Sequence, residues 1–349
     1  MTNRRAWSYR DAGVDVDGAA ELVGDIRALA ARTARPETIL GIGGFAALSR
    51  VPVDRYRRPV LVSSTDGVGT KIKLAQAWGR HRGVGVDLVA MVVNDLLPCG
   101  AEPFLFLDYL AMGRLDAAVI RELVDGISDG CAKAGCALVG GETAEMPGVY
   151  GDGEYDVAGF GVGLVEENEI VDGSRVCRGA ALVGLASSGL HSNGFSLVRR
   201  LLPPEELDGG TILAPLTVPL ADELLAPTRI YAQLIALVRS QFDIWAMAHI
   251  TGGGLLENVP RTLPEGLGVA LDRRAWSLPP IFRLLQERGD ISDREMLRTF
   301  NCGIGYTLVV EANAADRLLA TVRDVSDCAA FRIGEIVEVP PGGERVGFA

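Results

Sequence analysis

Leu61-Val-Ser-Ser-Thr-Asp-Gly-Val-Gly-Thr-Lys71 is an apolar run that stops at an acid, two glycines and a lysine. A strand delivers chemistry in this way. Val60 to Val62 suit a sheet, Asp66 emerges at the strand's carboxyl end, and Gly67 and Gly69 let the backbone bend close to a ligand. Lys71 then directs a charge at that ligand.

The chain around this stretch has 349 residues, of which 48% are hydrophobic and 23% charged. That is ordinary globular composition and enough for two domains. Asp and Glu number 45 against 34 Lys and Arg, giving a net charge of −11. This balance argues against nucleic acid or an anionic membrane as partner. The six cysteines form no Cys-x-x-Cys pair, and the first residues lack the apolar block of a signal peptide. Both features predict a reduced, cytoplasmic protein. The longest apolar region, 87–112, is interrupted by Asn94, Asp95, Glu102 and Asp108, so no uninterrupted membrane span is expected. The 43 glycines cluster at 41–44, 67–69, 140–141 and 252–254 without a fixed period. Loops that approach ligands fit this distribution, and a repeat array does not.

Read in order, the pattern predicts a helix over 19–34, the opening strand, a helix over 85–97 closed by Pro98-Cys99-Gly100, and a strand over 104–107. A helix over 116–135, a strand over 137–139 ending at Gly140-Gly141, and a long strand over 155–165 follow. The charged segment 166–178, with its Asp172-Gly173 turn, marks a domain junction near residue 170. Two domains, 1–170 and 171–349, are therefore expected. The second repeats the strand, loop, helix logic: a strand over 180–186, the loop 187–194, a helical stretch over 220–239, a strand over 246–250 and the Gly252-Gly253-Gly254 turn. Both halves mix strands and helices, an α/β or α+β architecture rather than one barrel.

Two phosphate fingerprints fail. Gly67-Val-Gly-Thr-Lys71 has the wrong spacing for a P-loop, and no Gly-x-Gly-x-x-Gly opens a helix after a strand. In their place stand acids at element ends: Asp66, Asp95, Asp108, Glu142 and Glu145. Singly each reads as a cap or solvated loop charge. Jointly, with a lysine nearby, they suit magnesium, which takes a few carboxylates and completes its shell with water and substrate phosphates.

Three motifs, Ser64-Thr-Asp-Gly-Val-Gly-Thr-Lys71, Val93-Asn-Asp-Leu-Leu-Pro-Cys-Gly-Ala-Glu-Pro103 and Val139-Gly-Gly-Glu-Thr-Ala-Glu-Met-Pro-Gly148, resemble in order and spacing the phosphoribosylformylglycinamidine cyclo-ligase family, the aminoimidazole ribonucleotide synthetases. The resemblance continues through Tyr9 to Asp15, Tyr155 to Gly159, Ser187 to Gly194, Leu225 to Tyr231, His249 to Gly254 and Thr299 to Gly303, nearly the whole chain. Asp95-x4-Gly100-Ala101-x-Pro103 is similar to the signature of the wider superfamily, which includes thiamine-monophosphate kinase and a hydrogenase maturation protein, and implies only ATP use. The Leu-Leu-Pro-Cys at 96–99 falls at that signature's variable positions.

The resemblance implies a homodimer whose N-terminal sheets share a β-barrel, with a C-terminal α/β domain beside it and ATP near the subunit interface. It also implies the activity: ATP-dependent closure of formylglycinamidine ribonucleotide to 5-aminoimidazole ribonucleotide. Under it, Asp66, Asp95 and Glu142 are expected to hold Mg²⁺ on the phosphates, and Lys71 to offset phosphate charge. Gly67, Gly69, Thr70 and Asn94 line the nucleotide, and Asp11, Gly13 and Asp15 belong to an N-terminal segment that orders over it. By residue chemistry, His191 and His249 are structural loop histidines or proton carriers; Ser192, Asn193, Gly252, Gly253 and Gly254 are expected to take the substrate and its ribose phosphate. The rival readings are another enzyme of the superfamily and a nucleotide-binding regulator without catalysis. Selenophosphate synthesis is disfavoured because the first cysteine is Cys99.

Overall fold

The computed structural model describes residues 16–349. In the first half, α1 (Val16–Ala30) precedes a small ribbon of β1 (Thr38–Leu40) and β2 (Leu48–Ser49). The chain then runs through β3 (Pro59–Gly67), α2 (Ile72–Trp78), α3 (Arg82–Leu96), β4 (Glu102–Met112), α4 (Ala117–Ala134), β5 (Ala137–Glu145) and β6 (Tyr155–Glu166). The second half contains β7 (Ala181–Ala186), α5 (Phe195–Leu201), α6 (Leu220–Leu224), α7 (Ala232–Gln241), β8 (Ile244–His249) and α8 (Gly254–Asn258). It continues with β9 (Leu267–Leu271), α9 (Pro280–Gly289), α10 (Asp293–Thr299), β10 (Ile304–Val310), α11 (Ala315–Val325), β11 (Ala330–Glu338) and β12 (Val346–Phe348).

Each half builds its own sheet. The first is four-stranded and open, in the order β3-β6-β4-β5, with only the β4–β5 pair parallel. The second is six-stranded, β12-β9-β11-β7-β10-β8, and only β12–β9 is parallel. The mixed α/β expectation holds, with antiparallel pairing dominant. Among the described residues the first sheet does not close into a barrel. One of its faces packs on α3, and its other face carries exposed Leu61, Tyr109 and Phe160. Among the described residues no helix is long and apolar enough to cross a membrane.

Local signals explain the elements. Asp116 caps α4, its carboxylate accepting from the Ala118 and Val119 amides at 2.9 and 3.2 Å, and Gly135 closes the helix in the left-handed region at φ 76°. β3 alternates because Leu61, Ser63 and Thr65 face solvent while Val62, Ser64 and Asp66 turn toward the helix layer. α3 is buried on nearly every side, so its polar residues Asp87 and Asn94 are enclosed.

Three expectations need correction. β5 does not stop at Gly140 but runs on to Glu145, because β4 continues beside it to Met112 and offers a parallel partner throughout. The first helix begins earlier than expected, at Val16. The stretch 220–239 is two helices, not one, separated by an irregular segment at 225–231. Pro227 removes a backbone donor there, and Asp87 and Asn94 of α3 capture the amides of Thr228 and Tyr231 at 2.7 and 3.0 Å. That segment ties the two halves together.

Candidate active site

The end of β3, the C-terminal part of α3 and three loops of the second half converge. Asp66 accepts from its neighbour's amide, Gly67 N, at 2.7 Å. Burial holds its carboxyl above the ordinary aspartate range; the Gly67 bond pulls the other way, and the charge of Asp95 adds to the rise. The charge of Asp95 therefore reaches Asp66. Asp95 Oδ1 meets His249 Nδ1 at 2.8 Å, with the Asp95 side chain 41% exposed and the imidazole almost fully enclosed. Gly69 stands at φ 72° with open space where a Cβ would lie, which leaves its backbone accessible to a ligand. Thr70 Oγ1 lies 3.1 Å from Ser196 Oγ.

In the loops and strands around Asp95 and His249, four of the buried polar atoms without a hydrogen-bond partner among the described residues are His191 Nδ1, Asn193 Nδ2, His249 Nε2 and Tyr306 Oη. Their placement is mutual. Tyr306 pairs with His249 across β10 and β8, the two rings stacking at 6.3 Å, and a Cβ on adjacent Gly305 would lie only 2.4 Å from His191 Cε1. His191 Nε2 accepts from Ser188 N at 3.2 Å, so the neutral ring carries its proton on Nδ1. Burial, followed by the neighbouring His249, Lys71 and Arg229, drives its pKa well below the ordinary histidine value, so the ring is neutral. Tyr306 is held well above the usual phenol range, chiefly by burial and then by the Asp95 charge. Buried polar groups are normally satisfied, so orphans such as these are candidates to pair with a polar ligand.

Lys71 stands elsewhere than expected. Its ammonium is fully buried, 2.7 Å from Asp87 Oδ2, and donates to the carbonyls of His191 and Ala226 at 3.0 and 2.8 Å. With two N–H groups donating to carbonyls and its charge paired with Asp87, it does not face phosphate. The amide of Asn94 is likewise occupied, its Nδ2 donating to Arg229 O at 2.8 Å. Ser192 Oγ is engaged with Thr228 Oγ1 at 3.0 Å, whereas Asn193 lies beside Gly252 with its Nδ2 unpartnered. Gly253 and Gly254 turn the chain at φ 94° and 56°, and Asn258 fixes the turn by accepting from Thr251 N and donating to Gly252 O. Asp11, Gly13 and Asp15 lie outside the described residues.

Glu142 does not join Asp66 and Asp95. It pairs with Tyr109 on the solvent face of β5, and β6 and β4 stand between β5 and β3. Three strand spacings put it roughly 14 Å from β3. A different acid occupies the inner face. Asp108 lies between Gly159 of β6 and Gly141 of β5, and burial pushes its carboxyl up to about 7. Because the folded state holds this proton more tightly than the unfolded chain, the associated stability is present at pH 4 and is lost as pH rises toward 7. The shift from 3.8 to about 7 corresponds to at most about 4 kcal/mol. Asp108→Asn should therefore gain stability relative to the parent between pH 4.5 and pH 8, measured as the difference in thermal midpoints.

Sequence reading missed Asp87, Thr228, Asn301 and Tyr306. Asp87 carried a signal, being one acid amid the apolar run of α3, where a polar residue has to be paired. Asn301 holds the 187–194 loop, accepting from Ser187 Oγ and Gly303 N and donating to Gly189 O.

Comparison with known proteins bears on this geometry. Residues 46–165 match the model of the AIR synthase related protein, N-terminal domain, and residues 178–347 match its C-terminal domain. A phosphoribosylformylglycinamidine cyclo-ligase of Bordetella avium (strain 197N) is 53% identical over 352 residues, covering 98% of each chain. One from Geobacter sulfurreducens is 52% identical over 344 residues, covering 98% of this chain and 99% of its own. Among solved structures, the hydrogenase maturation protein HypE in complex with ATP superposes with a TM-score of 0.70 at 19% identity over 97% of this chain and 94% of its own, a likeness of fold.

Proposed function

The chain belongs to the phosphoribosylformylglycinamidine cyclo-ligase family of AIR synthase related proteins, and from that premise we propose how its residues carry the reaction. It is an ATP-dependent ligase of purine biosynthesis. It cyclises formylglycinamidine ribonucleotide to 5-aminoimidazole ribonucleotide and releases ADP and phosphate.

The formyl oxygen is a poor leaving group until it is phosphorylated. In the proposed route, the γ-phosphoryl group of ATP passes to that oxygen and an amidine nitrogen attacks the formyl carbon. The carbon–oxygen bond then breaks with loss of phosphate. Within one bound molecule the second step needs alignment more than chemistry, so the protein's task is to place the γ-phosphate, neutralise charge and hold a closable chain.

The observation that carries the assignment of roles is the convergence of Asp66 and Asp95, from the first half, with the unpartnered polar atoms of the second. Asp66 and Asp95 fit Mg²⁺, which needs one or two carboxylates when substrate phosphates complete its shell. Bound there, the ion would neutralise charge on the transferring phosphoryl group. Asp95 also orients His249, leaving Nε2 bare to take the proton of the attacking nitrogen. His191 Nδ1–H and the Tyr306 hydroxyl would donate to the substrate, with Asn193 and the Gly252 to Gly254 turn beside them. Gly67, Gly69 and Thr70 would flank the nucleotide, with no phosphate role for Lys71.

Further parts of the reading concern assembly and location. We place the domain boundary near residue 170, between the two sheets. A homodimer is supported by the open first sheet, whose outer face leaves Leu61 67%, Phe160 43% and Tyr109 41% exposed. A second copy would cover that face and complete a barrel. Free cysteines fit a cytoplasmic location.

Turnover is the test. Purified protein should release phosphate and form the aminoimidazole product only when ATP, Mg²⁺ and formylglycinamidine ribonucleotide are all present. Absence of product with all three present would reject the reading.

A further inference from the structure

The buried pair Lys71 and Asp87 poses a problem of its own. Both side chains are 0% exposed, and withdrawing two charges from water costs several kcal/mol each. Apolar residues of similar volume would stabilise such a place as well or better. What the charges add is direction. Lys71 closes the 66–71 loop that bears Asp66 and Gly69, and its ammonium reaches across to two carbonyls of the second half, His191 O and Ala226 O. Asp87, on α3, accepts at one oxygen from both Thr228 N and Thr228 Oγ1, at 2.7 and 2.6 Å. Thr228 in turn lies 3.0 Å from Ser192 Oγ, and Ser188 Oγ donates to Pro227 O at 2.6 Å. His191 itself sits at φ 63°, a backbone conformation that a non-glycine residue holds only when its surroundings impose it. The ammonium on its carbonyl is one such constraint.

We propose that Lys71 and Asp87 are positioning residues: together with Thr228 they clasp the nucleotide-side loop 66–71 to the 187–194 and 225–231 segments, holding the two halves of the site in one register. The clasp touches neither substrate nor reacting atoms. It acts through the His191 backbone, and its catalytic consequence rests on the cyclo-ligase reading above.

The decisive variant is the double substitution Lys71→Met with Asp87→Asn. It removes both charges at once and leaves a side-chain amide oxygen at position 87 to accept from Thr228, so no buried charge is stranded. Hydrogen exchange in the ligand-free protein should accelerate at least tenfold in the 187–194 and 225–227 segments, with the thermal midpoint close to that of the parent. The KM for formylglycinamidine ribonucleotide should rise tenfold or more, while ATP-analogue affinity without substrate stays within about twofold. Parental exchange rates and KM in the folded double variant would overturn the proposal. Thr228→Val, nearly isosteric, serves if the double variant does not fold. It should speed exchange in 225–231 at least threefold, and unchanged exchange would overturn the clasp. Because exchange is read without substrate, it is independent of turnover: a parent protein that forms no aminoimidazole product would sink the cyclo-ligase reading and leave the clasp standing or falling on its own data.

Discussion

Asp95→Asn will lower ATP turnover roughly 100-fold while leaving the fold intact. The asparagine keeps an oxygen that can accept from His249 Nδ1, so the imidazole retains its orientation, but the charge that complements a divalent cation is gone. Because the Asp95 side chain is 41% exposed, no buried partner is stranded, and the thermal midpoint should stay within a few degrees of the parent's. The Mg²⁺ concentration giving half-maximal rate should rise as well. Full activity with normal Mg²⁺ dependence would remove Asp95 from the metal site.

Lys71→Met is expected to act in the opposite manner, on stability before chemistry. The single substitution leaves the Asp87 carboxylate enclosed, with only Thr228 to satisfy it, and removes the donors from His191 O and Ala226 O. Breaking a buried pair from one side costs about 3–5 kcal/mol, because the remaining charge cannot reach water. Denaturant unfolding monitored by circular dichroism should show that loss. Adding Asp87→Asn should recover most of it. A single variant as stable as the parent would mean that the site rearranges to admit water, contrary to its enclosed geometry.

The contrast between these two residues shows what was legible in the sequence. Asp66 and Asp95 occupy element ends followed by glycine turns, and that local chemistry pointed to a site before any contact was known. Lys71 belongs to the same stretch, and by position alone it looked like a phosphate ligand. Its direction was not legible, because it is set by Asp87, further along the chain in α3, and by carbonyls at 191 and 226. Most strands and helices of both halves, though not α2 or β12, followed from periodicity and punctuation. The irregular segment 225–231 did not, since helical patterning on either side of Pro227 concealed a backbone captured by α3. Glu142 was misgrouped for a similar reason: a glycine pair that reads as a strand end is continued as β5, which carries the acid to the other face of the sheet. Tyr306, inside an apolar strand, gave no sign that its hydroxyl would lack a partner.

The central claim is that the two halves meet at one site where ATP activates a formyl oxygen for ring closure. Substrate labelled with ¹⁸O in the formyl group tests it most directly, in a single turnover with ATP and Mg²⁺. The account predicts that the label appears quantitatively in inorganic phosphate, because the carbon–oxygen bond breaks and the oxygen leaves on the transferred phosphoryl group. Ring closure with unlabelled phosphate and the ¹⁸O released to water would contradict it.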